Sequence, residues 1–251
     1  MASEKDLKGS EILTKRAATA DRPSLNVLVR NDHPGAQVKD SATAKPQKKN
    51  SRNSYFYAGL IVAPDLSLVK FQSVKGVGTT AGILLGYNFN HRWALETGLY
   101  LDKKKYYTDG QYFKLKNNIT LPTGSKLLTV DGSCDMLEIP INVRYNLSQG
   151  PKMSWFAAAG FSTYLMSKEE YNYEYEYTPG GTPWYKPWSN KKPSQFWFSV
   201  LNLSIGFEQR LGKIGDLRLE PYVRAPLSGI GTGSLPIMSA GLNIGITHKF
   251  R

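Results

Sequence analysis

Apolar and polar residues alternate with a period of two over most of the chain after Tyr55, and the 3.6-residue period of an amphipathic helix is nearly absent. In residues 79–89, Thr79, Ala81, Ile83, Leu85, Tyr87 and Phe89 share one face, while Thr80, Gly82, Leu84, Gly86 and Asn88 share the other. Trp93, Leu95, Thr97, Leu99 and Leu101 repeat the pattern against Ala94, Glu96, Gly98, Tyr100 and Asp102. The tight connection at Asn90 and His91 predicts that the two runs form a hairpin. Further alternating runs cover 137–146, 155–165, 201–208, 217–224 and 238–250, and with 55–63 they make eight strands. Connections near Asn90, Gly150 and Gly212 are short, whereas those at about 64–76, 107–132, 168–195 and 227–234 are mostly longer. Short turns at one end and long loops at the other predict an all-β fold, an eight-stranded antiparallel up-and-down transmembrane β-barrel. An even strand number brings both chain ends to the short-turn, periplasmic side.

A soluble eight-stranded barrel with its apolar face turned inward around a ligand is the alternative. Three features favour apolar side chains pointing outward to lipid. Glycines concentrate on the polar face, at Gly82, Gly86, Gly98, Gly160, Gly206, Gly241 and Gly245, where a narrow interior needs small residues. The same face carries both signs of charge, Glu96, Glu138, Glu208 and Glu220 with Arg144, Arg218, Arg224 and Lys249, a set able to pair across a lumen. Aromatic residues of the apolar face gather at the short-turn ends as an interfacial girdle of Tyr87, Phe89, Trp93, Tyr145, Trp155, Phe207 and Phe250.

Composition divides the chain. Residues 1–54 contain no aromatic residue and carry 11 Lys and Arg against 6 Asp and Glu, so residues 1–53 read as a flexible basic periplasmic tail or linker and 54–251 as the barrel. The net charge of +12 raises nucleic acid as a partner, but the basic residues lie in that tail and at strand ends, not on a recognition element, so no nucleic-acid binding is expected. Residues 1–20 lack the apolar centre of a secretory signal, so export implies a trimmed chain. The single cysteine, Cys134, excludes an internal disulfide framework and a cysteine zinc cluster, and neither metal nor cofactor is expected. At the outer end of the fourth strand, Cys134 is expected to be reachable from the exterior or the lumen mouth.

The segments Tyr57-Ala58-Gly59-Leu60, Glu96-Thr97-Gly98-Leu99-Tyr100, Leu137-Glu138-Ile139-Pro140-Ile141-Asn142-Val143-Arg144-Tyr145 and Leu211-Gly212-Lys213-Ile214-Gly215 carry a family resemblance. The chain resembles the Bacteroidota outer-membrane β-barrel proteins described as porin-family or PorT-like, with an OmpA/OmpX-type eight-stranded barrel. Its end, Gly241-Leu242-Asn243-Ile244-Gly245-Ile246-Thr247-His248-Lys249-Phe250, is similar to an outer-membrane assembly signal, with Arg251 following the aromatic residue. The resemblance implies an architecture and an outer-membrane location, and no common activity. Some barrels of this kind follow a cytoplasmic segment, a membrane helix and a periplasmic linker used in envelope signalling or secretion; residues 1–54 resemble only the linker.

A rim enzyme would need an activated nucleophile beside a base such as histidine. His33 lies in the tail, His91 at a short turn and His248 near the C-terminus, so none reaches the long loops and no catalytic residue is expected. Gly229-Ile230-Gly231-Thr232-Gly233 lacks the following helix of a phosphate loop and reads as a flexible rim segment. Tyr171, Tyr173, Tyr175 and Tyr177 alternate in the third long loop, followed by Trp184 and Trp188. Such a ladder suits an external glycan or an envelope protein, or cross-strand packing of the hairpin with itself. Lys103, Lys104, Lys105, Lys114 and Lys116 cluster on the second long loop at the level of lipopolysaccharide phosphates. Outer-membrane lipid and lipopolysaccharide are therefore the expected partners, with a small-solute pore as the competing role.

Overall fold

The alternating runs close into a ring. A computed structural model describes residues 54–115 and 121–250; the tail assigned to 1–53, Lys116 and Arg251 lie outside the described residues. The strands are β1 (Tyr55–Val69), β2 (Gly78–Asn88), β3 (Trp93–Asp109), β4 (Lys126–Gln149), β5 (Met153–Glu176), β6 (Trp184–Asn190), β7 (Ser194–Arg210), β8 (Asp216–Pro226) and β9 (Ile237–Phe250), with one 3-10 turn at Gly110–Tyr112. Antiparallel pairing runs from β1 to β5 in chain order, then through β7, β8 and β9, and β9 closes on β1. Eight strands thus make the ring. The ninth, β6, lies outside it and pairs with β5, Tyr175 opposite Trp184 and Glu169 opposite Asn190. Closure of the eight-stranded ring leaves that ring without a sheet edge, the condition for β-structure in lipid, while β6, paired on one side only, keeps one.

Leu60, Val62, Ile83, Leu85, Leu99, Leu101, Ile141, Val143, Leu203, Ile205, Ile244 and Ile246 are exposed on the outer surface. Their sequence neighbours Ile61, Leu84, Tyr100, Arg144 and Asn202 face in and are buried. Glycine makes room for the interior rings: a Cβ on Gly86 would lie 2.1 Å from Cζ of Tyr57.

Above this band the polarity inverts. Leu101, Leu137 and Leu165 are the last apolar outward partners before the row Lys103, Asp135 and Lys168. Beyond that row the outward residues Lys105, Asp131, Ser133, Glu170 and Asn172 are polar, and the interior holds an apolar cluster that includes Val69, Tyr106, Phe113, Val130, Cys134, Met136, Tyr171, Tyr173, Ile230 and Leu235. The barrel wall therefore continues past the lipid as a water-exposed structure with its own core. Much of what the connection lengths suggested was loop is strand here: β1 runs to Val69, β3 to Asp109, β4 begins at Lys126 and β5 ends at Glu176.

One extra residue sits at the transition. Met136 faces Met166 but Asp135 faces Lys168, so Ser167 is bulged, its hydroxyl donating to the Asp135 carbonyl at 3.0 Å. Below the bulge even-numbered residues of β5 such as Phe156, Ser162 and Tyr164 point inward; above it Glu169, Tyr171, Tyr173 and Tyr175 do. The glycine-rich segment after β8 does not spread over the rim. Ile230 and Leu235 exchange backbone hydrogen bonds of 2.9 Å and are buried in the upper core. Gly231 takes φ +73°, and the Thr232 amide then donates to the Glu169 carboxylate at 3.0 Å.

Candidate functional site: the lumen network and the outer wall

Alternation places Glu96 on β3, Arg144 on β4, Glu208 on β7 and Arg218 and Glu220 on β8 at one level of the lumen. Arg218 forms a fork on Glu96, with Nη1 to Oε1 at 2.7 Å and Nη2 to Oε2 at 2.8 Å, and its Nη2 also lies 3.0 Å from Glu220 Oε2. Arg144 forms a second fork on Glu208, at 2.5 and 3.0 Å, and reaches Glu96 at 3.2 Å. The Tyr57 hydroxyl donates to Glu96 at 2.6 Å. Both guanidinium groups stack on the buried Phe156 ring, 3.9 and 4.4 Å from its centroid.

A second tier lies toward the long loops. Arg224 Nη2 is 2.9 Å from Glu138 Oε2, and its Nη1 is 3.5 Å from Asp102. Lys104 Nζ donates to Asp65 at 3.1 Å and to Ser239 at 3.0 Å, and the Tyr222 hydroxyl donates to Asp65 at 2.8 Å. Charge buried at this depth is tolerated only when paired and hydrogen-bonded. The space left between the tiers is about 30 Å³. Lys249 stands apart at the mouth beside the short turns, half-buried, 2.5 Å from Asp216. Asp102 belongs to the inward face read from sequence but not to its charge set, and Asp65 and Lys104 were not among the lumen residues expected there. Period-two counting carried past Ala63 and Asp102 puts each of them inward.

A charged interior inside an apolar exterior inverts the plan of a water-soluble barrel, and a family model described as an outer membrane protein beta-barrel domain matches residues 36–221. The chain belongs to that family. No curated protein matches it. Solved structures similar to this outer-membrane barrel include Neisserial surface protein A, at 14% identity and a TM-score of 0.46, covering 78% of this chain and 97% of that one. Another is Ail of Yersinia pestis in complex with the heparin analogue sucrose octasulfate, at 8% identity and a TM-score of 0.39, covering 78% and 99%. A third is the N-terminal β-barrel domain of Pseudomonas aeruginosa OprF, at 9% identity and a TM-score of 0.33, covering 76% and 96%.

On the barrel's outer surface, Tyr87, Phe89, Trp93, Tyr145, Trp155, Phe207 and Phe250 are exposed or half-buried beside the short turns and chain ends. They meet in pairs, Trp93 with Tyr145 at 4.8 Å and Trp155 with Phe207 at 5.3 Å between ring centroids. The tyrosine ladder is placed differently from a free surface stack. Tyr171 and Tyr173 are 2% and 0% exposed, and Tyr175 is also buried, because the Ser167 bulge shifts the inward parity of β5. Burial pushes the Tyr171 and Tyr173 phenols well above their ordinary range. Trp188 is half-buried, stacked on Tyr171 at 5.5 Å. Tyr177 and Trp184 are exposed at the hairpin tip, their rings 6.4 Å apart.

Parity divides the lysines in the same way. Lys103 and Lys105 are exposed on the outer wall, but Lys104 between them faces the lumen and is 1% exposed, since all three lie on β3 and not on a loop. Lys114 is exposed in the connection after β3. Cys134 is also inward and 1% exposed, contrary to the expectation of access, and burial pushes its thiol up to about 12. A membrane-impermeant maleimide is expected to leave folded protein unlabelled from either side and to label it fully after unfolding; labelling of the folded barrel would refute this placement. Among the described residues no group of three or more His, Cys, Asp and Glu is arranged to hold a metal ion.

Proposed function

We propose that this outer-membrane barrel has a structural or surface-recognition role, non-catalytic, with its lumen closed by side chains. The lumen network carries the reading. Glu96, Arg144, Glu208, Arg218 and Glu220 in one tier and Asp65, Asp102, Lys104, Glu138 and Arg224 in the next leave room for about one or two water molecules. Planar-bilayer recording of the purified protein is expected to show no steady conductance above baseline. A stable, large conductance would overturn the closed lumen and favour a small-solute porin.

Further features support the finer assignments. Tyr55 and Phe250 lie at the end with the short turns, which supports periplasmic chain ends. Lys103, Lys105 and Lys114 stand outward above the apolar band, suited to lipopolysaccharide phosphates. Exposed Tyr177 and Trp184 offer an external glycan or an envelope protein a rigid contact. The non-catalytic reading is supported by His91 and His248, both at the end away from the long loops. PorT-like affiliation within the family is supported by the sequence segments around Glu96 and Glu138.

A further inference from the structure

The outward face of the wall formed by β3, β4, β5 and β6 carries a concavity of about 710 Å³ above the apolar band. Its position follows from register. One row across the four strands reads Lys105, Ser133, Glu170, Ser189, and the next reads Tyr107, Asp131, Asn172, Pro187. Both lie above the row Lys103, Asp135 and Lys168, where Ser167 is the extra residue of β5.

The floor is built from short neutral groups. Ser133, Asn172 and Ser189 each offer both a donor and an acceptor. Charges surround them, and most are paired. Lys75 is 3.4 Å from Asp131 and 4.3 Å from the centre of the Tyr107 ring, and Glu170 is 2.8 Å from Lys168. Lys105 has no ion-pair partner among the described residues. A site of this size, whose mostly apolar lining carries these short polar groups and one unmatched ammonium, suits a saccharide, apolar on its ring faces and hydroxylated at its rim, that bears a negative group. Height narrows the source. At a rise of ~3.3 Å per residue on strands tilted by ~40°, the two rows stand ~5–10 Å above the first charged row. The saccharide headgroups of outer-leaflet glycolipid occupy that layer.

We propose that this saddle binds an acidic or phosphorylated saccharide presented by a glycolipid of the outer leaflet. The proposal rests on the outer-membrane reading of the wall but not on the closed lumen, whose failure would appear as conductance and not as lost binding.

The test titrates the full chain in detergent micelles, by calorimetry, with phosphorylated inner-core oligosaccharide freed from lipopolysaccharide, with the same oligosaccharide dephosphorylated, and with intact lipopolysaccharide. The phosphorylated sugar is expected to bind, and dephosphorylation to weaken binding about tenfold, the loss of a charge-assisted hydrogen bond. Lys105→Ala is expected to weaken it to a similar degree and to erase the preference for phosphate. Ser133→Trp, which fills the floor from the solvent side, is expected to abolish binding while the heat-dependent shift in gel migration persists; if that variant fails to assemble, Asn172→Ala takes its place, with at least a fivefold loss expected. Binding of intact lipopolysaccharide at least as tight as that of the freed sugar supports the glycolipid source, and tighter binding of the freed sugar overturns it. No binding by the unmodified chain, or equal binding by it and both variants, overturns the site.

Discussion

Arg218→Ala is expected to lower the unfolding free energy of the barrel by about 3–5 kcal/mol, the range for removing one partner of a buried ion pair. The guanidinium is 1% exposed and serves Glu96 through two hydrogen bonds and Glu220 through a third contact. Its removal leaves Glu96 with one remaining guanidinium contact, from Arg144 at 3.2 Å, and strips the Phe156 ring of one of its two stacked cations. The size of the loss comes from stranded carboxylates more than from the attraction itself. Glu96→Gln combined with Arg218→Met therefore should recover a substantial part of the stability, because charge and countercharge leave together. Urea unfolding in lipid vesicles, followed by tryptophan fluorescence, checks both variants. An Arg218→Ala midpoint equal to that of the unmodified protein would show that water, and not Arg218, solvates Glu96.

The eight-stranded ring was legible because a strand in a membrane wall has only two environments, and period two sorts residues between them over 79–88 and 93–102, on either side of the turn. The inward glycines and the opposed charges told which face was which, and Glu96, Glu138, Arg144, Glu208, Arg218, Glu220 and Arg224 all lie inside together. What escaped lies above the lipid. There the outer surface meets water, so the polarity that marks a strand in the membrane inverts, and Val130, Cys134 and Met136 look like the end of a pattern instead of its continuation. Lys104 was misplaced for a related reason: three consecutive lysines read as a loop cluster, although their parity on β3 sends the middle one inward to Asp65. The Ser167 bulge leaves no sequence mark beyond a serine between the apolar Tyr164-Leu165-Met166 and the charged Lys168-Glu169-Glu170. Likewise, the inward fold of Ile230 and Leu235 depends on Gly231 and Glu169, residues distant in sequence that meet only once the ring is closed.

Replacing Tyr171, Tyr173, Tyr175 and Tyr177 together by serine is expected to prevent assembly, and Tyr173→Ala alone to cost about 3–5 kcal/mol, the range for truncating a buried aromatic residue. Tyr173 is fully buried, edge-on to Phe113 at 5.5 Å and stacked with Tyr171 at 5.9 Å. Tyr171 in turn accepts a hydrogen bond from Tyr106 at 3.2 Å and packs on Trp188, so the ladder ties β3, β5 and β6 into one upper core. Nothing else on β5 above the bulge supplies comparable apolar area. Tyr177→Ser and Trp184→Ser, at the exposed tip, are expected to stay within about 0.5 kcal/mol of the unmodified protein, as surface changes do. The contrast separates two roles that the sequence pattern merges: the inward tyrosines form the core of the wall above the apolar band, and of the ladder only the tip residue Tyr177, with Trp184, is exposed. Urea midpoints and the heat-dependent gel shift read the difference. If Tyr173→Ala unfolds at the same midpoint as Tyr177→Ser, the upper core contributes nothing to stability, and the inward parity above Ser167 that places it there is refuted.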